Sequence, residues 1–333
     1  MSNLLDKLKK NSKIKNVAAL DESEFFGNKQ SIPTLIPALN IALSGELDGG
    51  VTNGILQIAG ESKHFKTSFA LYIASAYLKH YDNGVMMFYD TEFGSTPEYF
   101  KNFDIDTSRV LHVPIKDTEE LKFDLVSQLE NITANDKVII VIDSIGNLAS
   151  KKEKEDALNE KAVADMSRAK QLKSLFRMVT PYLTINNIPL IAINHVYQEI
   201  GSMYSKKIAS GGTGLYYSSN DIWFIGRNQN KDNNGEIAGY NFTINIEKSR
   251  RVKEKSKIEV NVTWEGGVSE YSALLDLACE SKLVEKLPAG WYIDKLSNSD
   301  KKVRLKELQT PEWKEALCNN SQFKQFVAGK YKI

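Results

Sequence analysis

A lysine followed by two hydroxyl residues, Lys66, Thr67 and Ser68, begins a long apolar segment of the chain. The stretch before it, 60–65, reads GESKHF and follows a short apolar run suited to a buried parallel strand. In a phosphate-binding loop with this order, backbone N–H groups and the positive end of the helix surround a polyphosphate. The lysine reaches between the β- and γ-phosphates, and the threonine hydroxyl binds Mg²⁺. The candidate phosphate-binding residues are Gly60, Glu61, Ser62, Lys63, His64, Phe65, Lys66, Thr67 and Ser68.

The loop departs from the usual pattern at one position. Phe65 stands immediately before the lysine, where glycine is usual. Glycine is favoured there because it gives the backbone freedom and lets a phosphate approach closely. The competing interpretation is a Lys-Thr pair at an ordinary helix start.

Polar residues follow several apolar runs that have the length of buried strands. The run 138–142 ends in Asp143, and the runs 85–89 and 188–193 are followed by Glu92 and Asn194. In phosphate-loop proteins an acid placed like Asp143 reaches Mg²⁺, usually through water. Because ligands bind beyond the carboxyl ends of parallel strands, these side chains and the phosphate loop should meet at one edge of a sheet.

The elements that must position these groups alternate between strand and helix, which predicts an α/β fold with a central, mostly parallel sheet. The later segments 241–246 and 258–264 read as an antiparallel pair. Residues 149–165 form a charged loop or a frayed helix start, and 196–214 a long aperiodic loop. We expect the chain to divide into an N-terminal oligomerisation helix and linker over 1–30, a core over 31–270 and a small C-terminal α/β domain over 271–333.

Composition excludes several other classes of protein. The net charge of +1 over 333 residues gives no overall attraction for nucleic acid, so any such binding must use local patches. No apolar run approaches the length of a membrane span, and no signal-peptide core is present. Two cysteines suit a reducing cytoplasm, and four scattered histidines show no metal-ligand spacing.

Several stretches together resemble the RecA-type recombinases, most closely the phage UvsX-like branch. They are GESKHFKT at 60–67, YDTEFG at 89–94, VIDSIGNLASKKE at 141–153, AINH at 192–195, GGTG at 211–214 and EKSRRVKEK at 247–255. The resemblance implies a RecA-type ATPase core, with ATP and Mg²⁺ as cofactors. It also implies a DNA-dependent ATPase and strand-exchange protein that forms a homo-oligomeric helical filament on single-stranded DNA and pairs it with double-stranded DNA. A mediator and a single-stranded-DNA-binding protein are the further partners it suggests, in the cytoplasm of a phage-infected bacterium.

The same resemblance implies roles for individual residues. Glu92 would activate the attacking water, Lys66 would hold the phosphates, and Thr67 and Asp143 would bind Mg²⁺, with Ser144 beside them. Lys248 and Arg250 would reach across the filament interface to a neighbour's γ-phosphate. The remaining nucleotide contacts would come from Tyr99 and Trp264 at the base and from Asn194 and His195 at the γ-phosphate.

DNA contact would fall to the two segments that follow Asp143 and Asn194. The implied residues are Lys170, Arg177, Met203, Tyr204, Lys206, Lys207, Gly211 and Gly212. Two other functions stay open at this point. One is a filament or mediator protein that binds nucleotide without hydrolysing it, and the other is a hexameric helicase with the same fold.

Overall fold

The computed structural model describes residues 3–14, 17–23, 31–160, 167–198, 207–231, 235–264, 267–296 and 302–333. The chain forms two compact units, Met1–Ser31 and Ile32–Ile333. The first unit holds helix α1 (Asn3–Asn11), where Leu4, Leu5 and Leu8 are exposed. Lys9 of this helix pairs with Glu22 at 2.6 Å. The helix forms where the sequence predicts it, and its part in oligomerisation stays a prediction.

The second unit is built on one large sheet. In spatial order its main path is β10-β9-β8-β7-β1-β5-β4-β2-β3, with β6 paired to β5. The six strands from β7 to β3 pair in parallel, and β8, β9 and β10 continue the sheet antiparallel. The strands are β1 (Gly54–Gly60), β2 (Val85–Asp90), β3 (Val110–Pro114), β4 (Val138–Asp143), β5 (Pro189–Gln198), β6 (Lys207–Ala209), β7 (Asp221–Lys231), β8 (Ile237–Lys248), β9 (Lys257–Thr263) and β10 (Gly267–Val268).

Helices cover both faces of this sheet. Alternate residues of β4 enter different cores, because successive side chains of a strand point to opposite faces. Val141 packs in the core with Leu71 of α3, whereas Ile140 and Ile142 pack in the core with Leu175 of α7. The helices of this part are α2 (Pro37–Ser44), α3 (Lys66–His80), α4 (Pro97–Lys101), α5 (Thr118–Asn131), α6 (Lys151–Leu158), α7 (Ser167–Ile185) and α8 (Thr213–Ser218).

The C-terminal part adds a small antiparallel sheet, β11 (Val284–Leu287), β12 (Trp291–Asp294) and β13 (Lys302–Arg304). Its helices are α9 (Leu274–Glu280), α10 (Pro311–Asn319) and α11 (Ser321–Tyr331). Phe323 and Val327 of α11 are fully buried in the same core as α3. The amide of Lys253 donates to the carbonyl of Tyr331 at 2.7 Å. The predicted boundary of a separate C-terminal domain at residue 271 stays a prediction.

The predicted fold class is confirmed: a large, mostly parallel sheet with helices on both faces and a small second sheet. The prediction of an aperiodic loop over 196–214 is wrong in part, because β5 continues to Gln198, pairs antiparallel with β6, and α8 begins at Thr213. Three residues are too few to show the alternating pattern of a strand, so β6 is a strand only because it pairs with β5. Helix α6 forms within the charged segment because Ser150 and Glu153 make a capping box.

No helix in the described ranges is long and apolar enough to cross a membrane.

Candidate nucleotide-binding site

The phosphate loop joins the end of β1 to the start of α3, as predicted. Phe65, the residue before α3, has φ 59° and ψ 20°, which is the left-handed conformation. This explains why glycine is usual at this position, since a side chain there is strained. The ring of Phe65 stacks on Phe242 with 5.1 Å between centroids and meets the edge of Phe69 at 5.4 Å. Aromatic packing therefore offsets the backbone strain.

The three residues after Phe65 all direct polar atoms at neighbouring elements. Lys66 Nζ donates to the carbonyl of Glu61 at 2.7 Å, and burial lowers the pKa of this amine although the charges of Glu92 and Asp143 raise it. Thr67 Oγ1 donates to Asp143 Oδ2 at 2.7 Å. Ser68 Oγ and the Tyr99 hydroxyl share a hydrogen bond of 2.8 Å.

Asp143 is buried at the end of β4, and the pKa of its carboxyl is strongly shifted. Burial raises the pKa of its carboxyl to about 7, and the charges of Glu92 and Asp90 add to this while the Thr67 hydrogen bond opposes it. Its Oδ1 atom is buried and has no hydrogen-bond partner among the described residues. A buried oxygen without a partner is costly unless a ligand satisfies it. Together with the adjacent Thr67 hydroxyl it fits the oxygen ligands that Mg²⁺ requires.

Glu92 follows β2 and is held through a single oxygen. Its Oε1 atom accepts hydrogen bonds from Ser144 Oγ at 2.9 Å, from Asn147 Nδ2 at 3.1 Å and from His195 Nε2 at 3.1 Å. Residues Ser144 and Asn147 follow β4, and His195 lies on β5. The carboxylate therefore connects three neighbouring strands at their carboxyl ends.

Asp90 supports the backbone on which Glu92 stands. Its Oδ1 atom accepts the amide of Glu92 at 3.0 Å and that of Phe93 at 2.8 Å. Its Oδ2 atom lies 3.1 Å from His112 Nε2 on β3. This buried carboxylate holds the turn after β2 in one conformation.

A cleft of about 510 Å³ joins the phosphate loop to the antiparallel end of the sheet. The sequence predicted twelve of its lining residues as site residues and missed Arg227, Tyr240, Phe242 and Val262. These four are spaced along β7, β8 and β9 in no motif, so the sequence carried no signal for them. The lining residues are Ser62, Lys63, His64, Phe65, Lys66, Thr67, Ser68, Glu92, Tyr99, Asp143, His195, Arg227, Tyr240, Phe242, Val262 and Trp264.

The missed residues form one wall of the cleft. The Arg227 guanidinium lies 4.8 Å from the centre of the Tyr240 ring, and its Nη1 atom donates to the carbonyl of Lys63 at 3.1 Å. Trp264 meets the Tyr240 ring edge-on, with 5.4 Å between the ring centroids, and is 65% exposed. Tyr99 lines the cleft from α4, so both aromatic residues predicted to contact the base line this cleft. Their contact with a nucleotide stays a prediction.

His64 is buried within the loop and donates from Nδ1 to the carbonyl of Ile225 at 2.8 Å. Burial lowers the pKa of its imidazole, although the hydrogen bond to Ile225 and the charge of Glu61 oppose this shift. His64 thus ties the loop to β7 as a structural contact.

Asn194 is buried and does not line the cleft. Its Nδ2 atom donates to the carbonyl of Ser210 at 2.8 Å, and its Oδ1 atom accepts the amide of His195 at 2.9 Å. It thereby holds the chain that leads from β6 to α8 against the middle of β5. Its predicted contact with a γ-phosphate stays a prediction.

Lys248 and Arg250 lie away from this cleft. Lys248 Nζ donates to the carbonyls of Tyr216 at 2.9 Å and Ser219 at 2.8 Å at the end of α8. Burial lowers the pKa of this amine, and the charge of Arg250 adds to the effect. Arg250 is exposed. Their predicted action on a neighbouring protomer stays a prediction.

The residues predicted to contact DNA are only partly described. Lys170 and Arg177 are exposed on α7, and Lys207 begins β6. Gly211 and Gly212 have φ of 89° and 77°, and a Cβ on Gly211 would lie 3.0 Å from Leu172 Cδ1. These glycines are therefore required by the turn itself. Met203, Tyr204 and Lys206 lie outside the described residues.

Comparison with known proteins places this site in a family. A family model for the RecA N-terminal domain matches residues 1–269. The chain belongs to the RecA family. The resemblance found in the motifs is thus confirmed.

Individual relatives agree with this assignment. The chain is 48% identical over 318 residues to the "Recombination and repair protein" of Enterobacteria phage T4, covering 96% of this chain and 81% of that protein. It is 28% identical over 307 residues to "Protein RecA" of Corynebacterium glutamicum, covering 91% and 78%. It is 29% identical over 266 residues to "Protein RecA" of Frankia casuarinae, covering 79% and 74%.

Proposed function

We propose that this protein is a DNA-dependent ATPase and strand-exchange recombinase of the phage type, active in recombination, recombination-linked replication and repair. It would assemble as a helical filament on single-stranded DNA and hydrolyse ATP to ADP and phosphate. The observation that carries the proposal is one cleft in a RecA-family core that brings together Lys66, Thr67, Asp143 and Glu92.

The phosphates of ATP would lie against the loop 60–65 and the first turn of α3. Lys66 supplies a buried cation there, and the backbone amides of the loop and helix start supply hydrogen-bond donors. Thr67 and Asp143 are the residues that would hold Mg²⁺, which when bound neutralises charge on the β- and γ-phosphate oxygens. The unpartnered Asp143 Oδ1 supports this assignment. Tyr99 and Trp264 would contact the base.

Glu92 would act as the general base. It faces the same cleft as Lys66, and its charge is close enough to affect the pKa of that amine. While its Oε1 atom is held by three donors, no described residue donates to Oε2. That oxygen is free to take a proton from the water that attacks the γ-phosphate.

Assembly would complete the site. Lys248 and Arg250 would face the γ-phosphate of a neighbouring protomer, where a cation stabilises the charge that develops in phosphoryl transfer. DNA would bind along the segments after β4 and β5 through phosphate contacts and stacking, independently of base sequence. A mediator, a single-stranded-DNA-binding protein and the cytoplasm of an infected host complete the proposal, which is supported by the phage origin of a close relative.

The decisive experiment measures ATP turnover against added single-stranded DNA at several salt concentrations. We expect stimulation by DNA that weakens as salt rises, since phosphate contacts release counterions. Lys66→Ala should abolish turnover, because the cation in the phosphate loop is lost. Nucleotide binding without turnover that DNA stimulates would favour a filament or mediator protein that does not hydrolyse the nucleotide.

The helicase alternative predicts a different form of assembly and a different action on DNA. A helicase of this fold would form closed six-membered rings in electron micrographs and unwind duplex DNA without pairing homologous strands. Family membership and relatives that carry recombination names do not favour it.

A further inference from the structure

One carboxylate oxygen of Glu92 accepts hydrogen bonds from three side chains. One of these donors, Asn147, is not part of the phosphate-loop motif. Asn147 Nδ2 lies 3.1 Å from Glu92 Oε1. Asn147 ends a short 3-10 helix, Ile145–Asn147, that begins two residues after β4. We propose that Asn147 is a positioning residue for Glu92, an inference that rests on the proposed ATPase function.

The hydrogen bonds around the Glu92 carboxylate show how Asn147 would fix its orientation. A glutamate side chain has three rotatable bonds, so an isolated carboxylate samples many orientations. Ser144 and His195 hold Oε1 from the ends of β4 and β5, and Asn147 adds a third donor from the segment that follows β4. Three donors on one oxygen select one orientation and leave Oε2 for the attacking water.

The surrounding backbone is built to keep the donors together. Thr91 Oγ1 donates to the carbonyl of Ser144 at 2.9 Å and accepts its amide at 2.9 Å, which joins the ends of β2 and β4. A Cβ on Gly146 would lie 2.3 Å from His195 Cδ2. The imidazole therefore packs directly over the backbone at Gly146, one residue before Asn147.

The exposure of Asn147 separates this role from a role in folding. Asn147 is exposed, while its neighbours Ile145 and Leu148 are buried. Its amide contacts the carboxylate at the protein surface and caps no helix. Removal of its side chain should therefore leave the core intact and act on Glu92 alone.

The test compares wild type with Asn147→Ala in the full-length protein, at saturating single-stranded DNA. We expect kcat to fall about tenfold, the usual scale of a hydrogen bond to a charged group, while KM for ATP changes less than twofold. Asn131→Ala is the matched control, because Asn131 is an exposed amide on α5 whose Nδ2 atom donates to the Ser127 carbonyl of its own helix and to no other described residue. It should behave as wild type.

A double-mutant cycle with Glu92→Gln tests whether Asn147 acts through Glu92. If Asn147 acts through Glu92, adding Asn147→Ala to Glu92→Gln should cause no further loss of single-turnover rate. Losses that multiply would overturn the proposal, as would a raised KM with kcat unchanged.

Failure of the wider function can be told apart from failure of this inference. Wild-type turnover without DNA stimulation refutes the proposed function, whereas a stimulated wild type with an equally active Asn147→Ala variant refutes only the positioning role. A crystal structure of the variant gives a test independent of activity. Glu92 should lose its single side-chain orientation there, and an unchanged, ordered Glu92 would overturn the proposal.

Discussion

Phe65 offers the sharpest test of how this phosphate loop differs from its usual form. Its φ of 59° places a β-carbon in the left-handed region, which costs about 1 kcal/mol relative to glycine. Its half-buried ring packs on Phe242 and Phe69, and the loss of this packing should cost about 2 kcal/mol. Phe65→Ala removes the ring and keeps the strain, whereas Phe65→Gly removes both. We therefore expect both variants to be less stable than wild type, with glycine about 1 kcal/mol more stable than alanine.

The order of the two variants is the informative result, because alanine is the more stable residue in an ordinary helix. Denaturant unfolding of the nucleotide-free protein, followed by circular dichroism, measures the free energy of unfolding of each. Phe123→Ala serves as control, since that ring is 65% exposed on α5 and should change stability by less than about 0.5 kcal/mol. An alanine variant as stable as the glycine variant would show that Phe65 is not held in the left-handed conformation.

Three further predictions concern charge and packing around the cleft. Because the folded-state pKa of Asp143 is raised to about 7, its ionised form destabilises the nucleotide-free protein as pH rises above about 4. Asp143→Asn should therefore have a free energy of unfolding up to about 4 kcal/mol above that of wild type at pH 8 in EDTA, seen as a higher unfolding temperature, and should lose most of this advantage at pH 4. Equal unfolding curves at pH 8 would argue against a buried, ionised carboxylate. Lys248→Ala should lower DNA-stimulated turnover while nucleotide affinity in the free protomer stays within about twofold, measured by equilibrium titration; intact turnover would contradict the role across the interface. Gly146→Ala should reduce kcat, because the new Cβ displaces the His195 ring from Glu92, and wild-type kcat would mean that this contact is not needed.

Some features of the site follow from the amino-acid order alone. The strand, loop and helix around Lys66 and the acid at Asp143 were predictable, because buried parallel strands are continuous apolar runs and the phosphate loop is contiguous in the chain. The position of Glu92 at the same edge followed from the common direction of the parallel strands. The antiparallel pairing of β8 and β9 was also predicted and is confirmed.

Other features depend on contacts between distant segments. The wall that includes Arg227, Tyr240 and Phe242 forms only because β7 and β8 continue the sheet past β1, and none of these residues belongs to a local motif. Strand β6 is defined by its partner β5, since three residues cannot show a period.

The sequence by itself determined the family, the phosphate loop and the acids, because those signals are local runs of residue type. Only the tertiary structure decided how Glu92 is held. Ser144 and Asn147 reach one oxygen from the segment after β4, and His195 reaches it from β5, because the pairing of β2, β4 and β5 brings these segments together. Likewise, the left-handed conformation of Phe65 is tolerated because Phe242, far along the chain, packs against its ring.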